Sequence, residues 1–153
     1  KNYNFLHINY PNITSYNQDF EMDRSEQSTL KGILKVSDVV VNIYSTINIE
    51  ASIFDKPLIN IDFDNMMKMY SWEKKPERQD IKIDRNLDHN SRVMKLGGIK
   101  NVKNEEELIN AINFYFQTPS ADYKNRKKIL DLEAGNNKGY AGKFIANKIF
   151  NFL

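Results

Sequence analysis

The chain predicts an α/β domain in which a parallel sheet is flanked by helices. Three observations carry this. "DVVVNIY" (residues 38–44) is a continuous β-branched run, the pattern of a strand buried on both faces rather than one. A second such run, "KPLINIDF" (56–63), follows after a stretch of helical length, "STINIEASIF" (45–54). Strand and helix signals keep alternating through "GIKNV" and the helical stretch after it, which points to crossover connections and hence to parallel pairing.

Taken in order, "YNFLHINYP" (3–11) reads as a strand closed by Pro11, and "NITSYNQDFEMDRSEQ" (12–27) as polar connection with a short extended piece at residues 20–23. "STLKGILKVS" (28–37) spaces Leu30, Ile33, Leu34 and Val36 as an amphipathic helix, with Ser28 as its cap. Residues 39–43 and 58–61 are expected to be adjacent parallel strands in the centre of the sheet, joined by the helix over 45–54. A long polar segment runs from Asp64 to about Asn86, then "LDHNSRVMKLG" (87–97) reads as a short helix and "GIKNV" (98–102) as a strand. "NEEELINAINFYFQ" (104–117) opens with Asn104 and carries Glu107 three residues later, the capping-box spacing. Two further helical stretches follow Pro119, "SADYKNRKKILDLEAG" and "KGYAGKFIANKIFNFL".

Composition narrows the function classes. The chain has 153 residues, the size of one domain, with 41% hydrophobic and 27% charged residues, as in an ordinary soluble protein. It has no cysteine, which removes disulfides, thiolate metal sites and cysteine nucleophiles. A net charge of +2 gives no basis for nucleic-acid binding. The two histidines, His7 and His89, stand far apart, and no carboxylate cluster has metal-ligand spacing, so no metal is expected. The chain opens on Lys1 rather than Met and shows no signal-peptide pattern, so an excised piece of a longer protein is expected.

In open parallel sheets, ligands bind at the carboxyl ends of the strands. Ser45 and Thr46 lie at that end of residues 39–43, and they also begin the next helix. The N-terminus of a helix presents unpaired N–H groups and a positive dipole end, and hydroxyls add donors for the same anion. Glu50, about one turn on, can accept hydrogen bonds from two ribose hydroxyls, so phosphate and ribose together would make a nucleotide site. A plainer reading stands beside this one. Ser45 is a simple N-cap and Glu50 lies on a solvated face.

The stretch "EASIFDKPLI" resembles the donor-site signature of GT-B-fold glycosyltransferases, with Glu50, Ala51 and Pro57 at the family's spacing. "LKVSDVVVNIYSTINIEASIFDKPLINIDFD" is more specifically similar to a bacterial group that builds capsule, teichoic-acid and related surface glycans, and "DHNSRVMKLGGIKNVKNEEELINAINFYFQTP" continues the likeness. The resemblance spans roughly residues 28–153. It implies a single Rossmann-like nucleotide-sugar-binding domain over residues 1–153, one half of a GT-B architecture whose acceptor-binding amino-terminal half is absent. It further implies that Ser45, Thr46 and His89 hold the donor phosphates, that Glu50 holds the ribose, and that Tyr44, Gly97 and Gly98 contribute backbone or loop contacts. Gly97 and Gly98 also suit a helix C-cap before a strand, which needs no ligand. Asp55 departs from the small residue that many relatives carry before the Lys-Pro step. The group's His-Pro pair survives only as the separated His7 and Pro11.

The implied activity is transfer of a sugar or polyol phosphate from a UDP- or CDP-linked donor to a glycan or lipid-linked acceptor, with no cofactor and no metal. The isolated domain is expected to be inactive, and the catalytic residues are unknown because the base lies on the absent half. The implied location is the cytoplasm, at or near the inner face of the membrane. The basic "YKNRKKIL" reads as a solvent-exposed face, with peripheral anionic-membrane contact as the alternative, and the Trp72 segment as a solvated insertion, with a flap over the donor or a contact with membrane-bound acceptor as its alternatives. The other function classes are a nucleotide-sugar 2-epimerase and a non-catalytic Rossmann-like interaction module. The epimerase is disfavoured because Tyr44-Ser45-Thr46 stands where such enzymes carry a Gly-rich turn.

Overall fold

The computed structural model describes residues 5–9, 22–63 and 81–152. The chain divides into two units, one ending at Val36 and one from Ser37 onward. In the first, α1 spans Arg24–Val36. It begins earlier than the expected helix, because Asp23 rather than Ser28 serves its start: Glu26 N donates to Asp23 Oδ1 at 2.8 Å. Ser28 lies inside the helix. Residues 5–9 form no strand, and the rest of the expected strand over 3–11 lies outside the described residues.

The second unit holds the sheet. Strands β1 (Val40–Asn42), β2 (Leu58–Ile61) and β3 (Lys100–Val102) are parallel throughout and ordered β1-β2-β3. Helix α2 (Ile47–Ile53) makes the first crossover; α3 (Ile81–Asn86) and α4 (Asp88–Met94) stand in the second. Helices α5 (Glu105–Gln117), α6 (Tyr123–Ala134) and α7 (Ala141–Phe150) follow. The α/β parallel architecture is therefore present, and β1 and β2 are adjacent and parallel in register Val40↔Leu58. One detail differs. Among the described residues β1 is an edge strand and only β2 is central.

That edge position explains why the burial expected on both faces of β1 is incomplete. Side chains alternate along a strand, so Val41 and Ile43 share the face of Val39. Val39 packs on the core, whereas Val41 and Ile43 are exposed. On β2 the same alternation has helices on both sides. Ile59 and Ile61 meet the α5 face, where Val102, Ala111 and Tyr115 complete the core. Leu58 and Asn60 are fully buried, and Asn60 faces α2 and α4, bonding Asn48 and Met94.

Local sequence sets the helix starts. Glu107 N donates to Asn104 Oδ1 at 2.8 Å, which caps α5 as its spacing predicts. The reciprocal arm reaches one residue further back than a capping box requires: Glu107 Oε2 accepts from Lys103 N at 2.8 Å. Helix α6 is held by Arg126, fully buried, whose Nε donates to Asp55 Oδ1 at 2.8 Å and whose other nitrogens donate to the Ala121 and Pro119 carbonyls. The long polar segment expected over 64–86 is helical in its described part, as α3. None of the described helices is long and apolar enough to cross a membrane.

Candidate functional site

β1 stops at Asn42, and the chain turns sharply at Tyr44, whose φ of 38° lies in the left-handed region. A bulky side chain rarely adopts that conformation, and the strain costs on the order of 1–3 kcal/mol. The turn delivers Ser45 and Thr46 to the start of α2. Ser45 N donates to Asn42 Oδ1 at 3.3 Å, and Ser45 Oγ accepts from Ile47 N at 3.3 Å. Ser45 thus performs part of a capping role, but an oxygen that accepts still has its own hydrogen to donate. Thr46 occupies the N-cap position with helical backbone angles and makes no side-chain cap bond.

The helix end itself differs from the sequence expectation. Ile47 N is taken by Ser45 Oγ, Asn48 N donates to Ser45 O at 3.1 Å, and Ile49 N donates to Thr46 O at 2.9 Å. These first-turn amides are already bonded within the chain, and α2 has only seven residues to build a dipole. Side-chain donors, more than backbone ones, are what this corner offers an anion.

A small cleft opens there; its volume of about 20 Å³ holds about one water and lies well below the roughly 300–1,000 Å³ usual for small-molecule sites. Tyr44, Ser45, Thr46 and His89 line it together, so the sequence-predicted phosphate residues meet although His89 comes from α4. Ile49, Val93 and Met94 supply an apolar wall. Glu50 is half-buried on α2 and is not among the lining residues; neither are Gly97 and Gly98. A broader hollow along β3 and α5, lined by Lys100, Glu107 and Phe114, lacks any of the predicted residues.

Backbone conformation sets the one glycine apart and packing the other. Gly97 has φ of +71°, and a Cβ on Gly98 would lie 2.8 Å from Arg126 N and 2.8 Å from Ile129 Cδ1. The backbone of α6 approaches the start of β3 that closely, leaving no room for a side chain at Gly98. Further along, Arg92 on α4 forms a two-pronged pair with Glu133 on α6, Nε–Oε1 and Nη2–Oε2 both 2.8 Å. This pair ties the helix that carries His89 to the rest of the unit.

Two polar constellations under the cleft went unread in the sequence. The first is a line of asparagines. Asn42 Nδ2 donates to Asn48 Oδ1 at 2.8 Å, Asn48 Nδ2 to Asn60 Oδ1 at 3.2 Å, and Asn60 Nδ2 to Met94 Sδ at 3.1 Å. It links β1, α2, β2 and α4, and Asn48, Asn60 and Met94 themselves line the cleft. Asn90 continues the theme, donating to the Tyr44 carbonyl at 3.4 Å and the Asp84 carbonyl at 2.8 Å. An asparagine midway through an apolar strand such as "LINI" was the available signal, since a buried amide needs partners.

The second lies at the carboxyl ends of the strands. Arg85 Nη2 stands 3.2 Å from Asp62 Oδ1, and the Asp62 side chain is only 3% exposed. The Tyr44 hydroxyl is buried beside them. The Tyr44 hydroxyl, Asp62 Oδ1 and Arg85 Nε make no directed hydrogen bond among the described residues. Burial first, and then the Asp62 carboxylate, push Tyr44 up to about 12, so its phenol stays neutral at any physiological pH. Among the described residues no group of three or more His, Asp or Glu is placed to hold a metal ion.

No protein-family model matches the chain, and neither a curated protein nor a solved structure does.

Proposed function

We propose that the cleft is the donor-nucleotide site of a glycosyltransferase, or of a polyol-phosphate transferase of the same build, and that this chain is the Rossmann-like donor half of a GT-B architecture. One observation carries the reading. Ser45, Thr46 and His89, distant in sequence, line one cleft at the carboxyl ends of parallel strands, where α/β sheets bind ligands. Hydroxyl and imidazole donors there would hold the diphosphate of a UDP- or CDP-linked donor and stabilise charge as the nucleotide leaves, the task of preorganised donors in group transfer. Glu50 follows Ile49 on α2 and is not in the wall of the cleft, so the ribose would have to extend past Ile49 to reach it. The acceptor, a surface glycan or its lipid-linked precursor, and the catalytic base belong to the missing half in this reading. The donor half by itself would bind and not turn over.

Calorimetric titration with UDP and CDP tests it. Wild type should bind one of them saturably, and Ser45→Ala with Thr46→Val should weaken it by about tenfold or more per hydroxyl lost, since hydrogen bonds to a charged group contribute roughly 1.5–3 kcal/mol. Glu50→Gln should weaken ribonucleotides about tenfold while leaving 2′,3′-dideoxynucleotides unchanged. An absence of saturable binding by wild type removes the reading.

A further inference from the structure

The cleft stands shut. It admits about one water, yet Ser45, Thr46 and His89 all line it, so they can meet a larger ligand together only if one wall moves. The wall on α2 is fixed. Ala51 is fully buried, Asn48 is bonded to Asn42 and Asn60, and Asp55 just beyond the helix accepts from the fully buried Arg126 of α6. The opposite wall is α4, which runs on from α3 through Leu87, whose N–H donates to Ile83 O at 3.2 Å. These two helices bury only Asp84, Asn90 and Val93, a single apolar side chain among them. Elements with so little buried apolar surface open at lower cost than the core.

Polar links hold the pair of helices down. Asn90 Nδ2 ties α4 to α3 through Asp84 O at 2.8 Å and reaches Tyr44 O at 3.4 Å. Asn60 Nδ2 donates to Met94 Sδ at 3.1 Å, a weak acceptor. On the outer side stands the two-pronged Arg92–Glu133 pair, with the Arg92 side chain more than half exposed. The inner seam opposes these links. Tyr44 OH, Asp62 Oδ1 and Arg85 Nε are buried where α3 meets the strand ends, without a directed hydrogen bond among the described residues. Such burial costs free energy, and moving α3 outward returns the three groups to water. Closure thus gains an ion pair and loses hydration, the kind of opposition that lets an element hold two positions. A pivot is also in place. Gly98 is pressed against the α6 backbone, and Gly97 before it sits at φ +71°.

We propose that α3 and α4 form a lid over the cleft, latched to α6 by Arg92–Glu133 and pivoting at Gly97. This adds a moving part to the nucleotide reading and rests on the same cleft, but its test needs no ligand, so the two fail separately. Nitrogen relaxation dispersion on the full, isotopically labelled chain reads motion on the microsecond-to-millisecond scale of lid opening. Residues 44–46 and 81–97 exchange as one process with an open state populated at roughly 1–10%, while β2 and α5 stay silent. Arg92→Gln and Glu133→Gln each raise the open population about two- to fivefold, and the double variant raises it no further, because either change alone releases the latch. Tyr44→Phe takes one unpaired group out of the closed state and lowers the open population about fivefold or more. The lid is overturned if residues 81–97 show no exchange, or if β2 and α5 exchange equally with them. It is also overturned if the latch variants leave the open population unchanged, or if Tyr44→Phe raises it.

Discussion

Replacing Asn48 with alanine should destabilise the domain by about 2–4 kcal/mol, most of it from a single stranded acceptor. Asn48 is 4% exposed and bridges Asn42 at 2.8 Å to Asn60 at 3.2 Å. Asn60 is 0% exposed, so its oxygen, once it loses Asn48 Nδ2, is left without a protein partner, and an unsatisfied buried polar group costs about 1–3 kcal/mol. Asn42 is only half-buried and regains water, so its share is about 1 kcal/mol or less. The small void left by the amide adds to this. Urea unfolding reads the result: with a slope of about 2 kcal/mol per molar, the midpoint should fall by roughly 1–2 M. The double variant Asn48→Leu/Asn60→Leu provides the control. Removing both partners leaves Asn42 to water and fills the space. Its cost should therefore be at least about 0.5 kcal/mol less than the sum of the single substitutions. A midpoint change for Asn48→Ala within that of ordinary surface substitutions, or strict additivity in the double variant, would refute the buried network.

Two further outcomes rest on the packing around the cleft. Gly98→Ala should cost about 1–3 kcal/mol by overpacking and lower the thermal midpoint by roughly 3–10 °C, because its Cβ meets α6 backbone at 2.8 Å as well as the Ile129 side chain, and backbone cannot swing aside. Stability should also decline with rising alkalinity. Tyr44 is raised to about 12, and Tyr115, buried and hydrogen-bonded to Asp122 at 2.8 Å, is raised as well. The unfolded chain therefore sheds these protons first, near pH 10, so stability is full below about pH 10 and falls above it. Urea midpoints measured from neutral to alkaline pH should show that decline, and Tyr115→Phe should flatten it.

Much of this architecture was legible along the chain, for identifiable reasons. The β-branched run before Tyr44 and the one after Lys56 could form only neighbouring strands of a parallel sheet once a helix of crossover length lay between them. Asn104 and Glu107 announced the start of α5, as their hydrogen bond confirms. The site was legible to the extent that Ser45 and Thr46 sit at a strand's carboxyl end, a position topology dictates. What periodicity could not give was tertiary. It gave β1 no edge position, because a β-branched run looks the same at an edge as in the centre. It hid the asparagine line, whose members are remote in sequence and individually read as loop formers. It also left the helix end looking open, whereas Ser45 Oγ and two carbonyls fill the first-turn amides. Helix α3 was missed because "IKIDRN" is too short and too charged for a clear helical stripe.

The proposed nucleotide diphosphate site is the corner formed by the Tyr44–Ser45–Thr46 turn and α4. Titrating the isotopically labelled chain with UDP and with CDP, and following backbone amide resonances, tests that claim residue by residue. Saturable shifts centred on residues 44–49 and 89–94, lost in Ser45→Ala/Thr46→Val, are the expected result. Saturable shifts centred instead on the Lys100, Glu107 and Phe114 hollow, or none with either nucleotide, would contradict it.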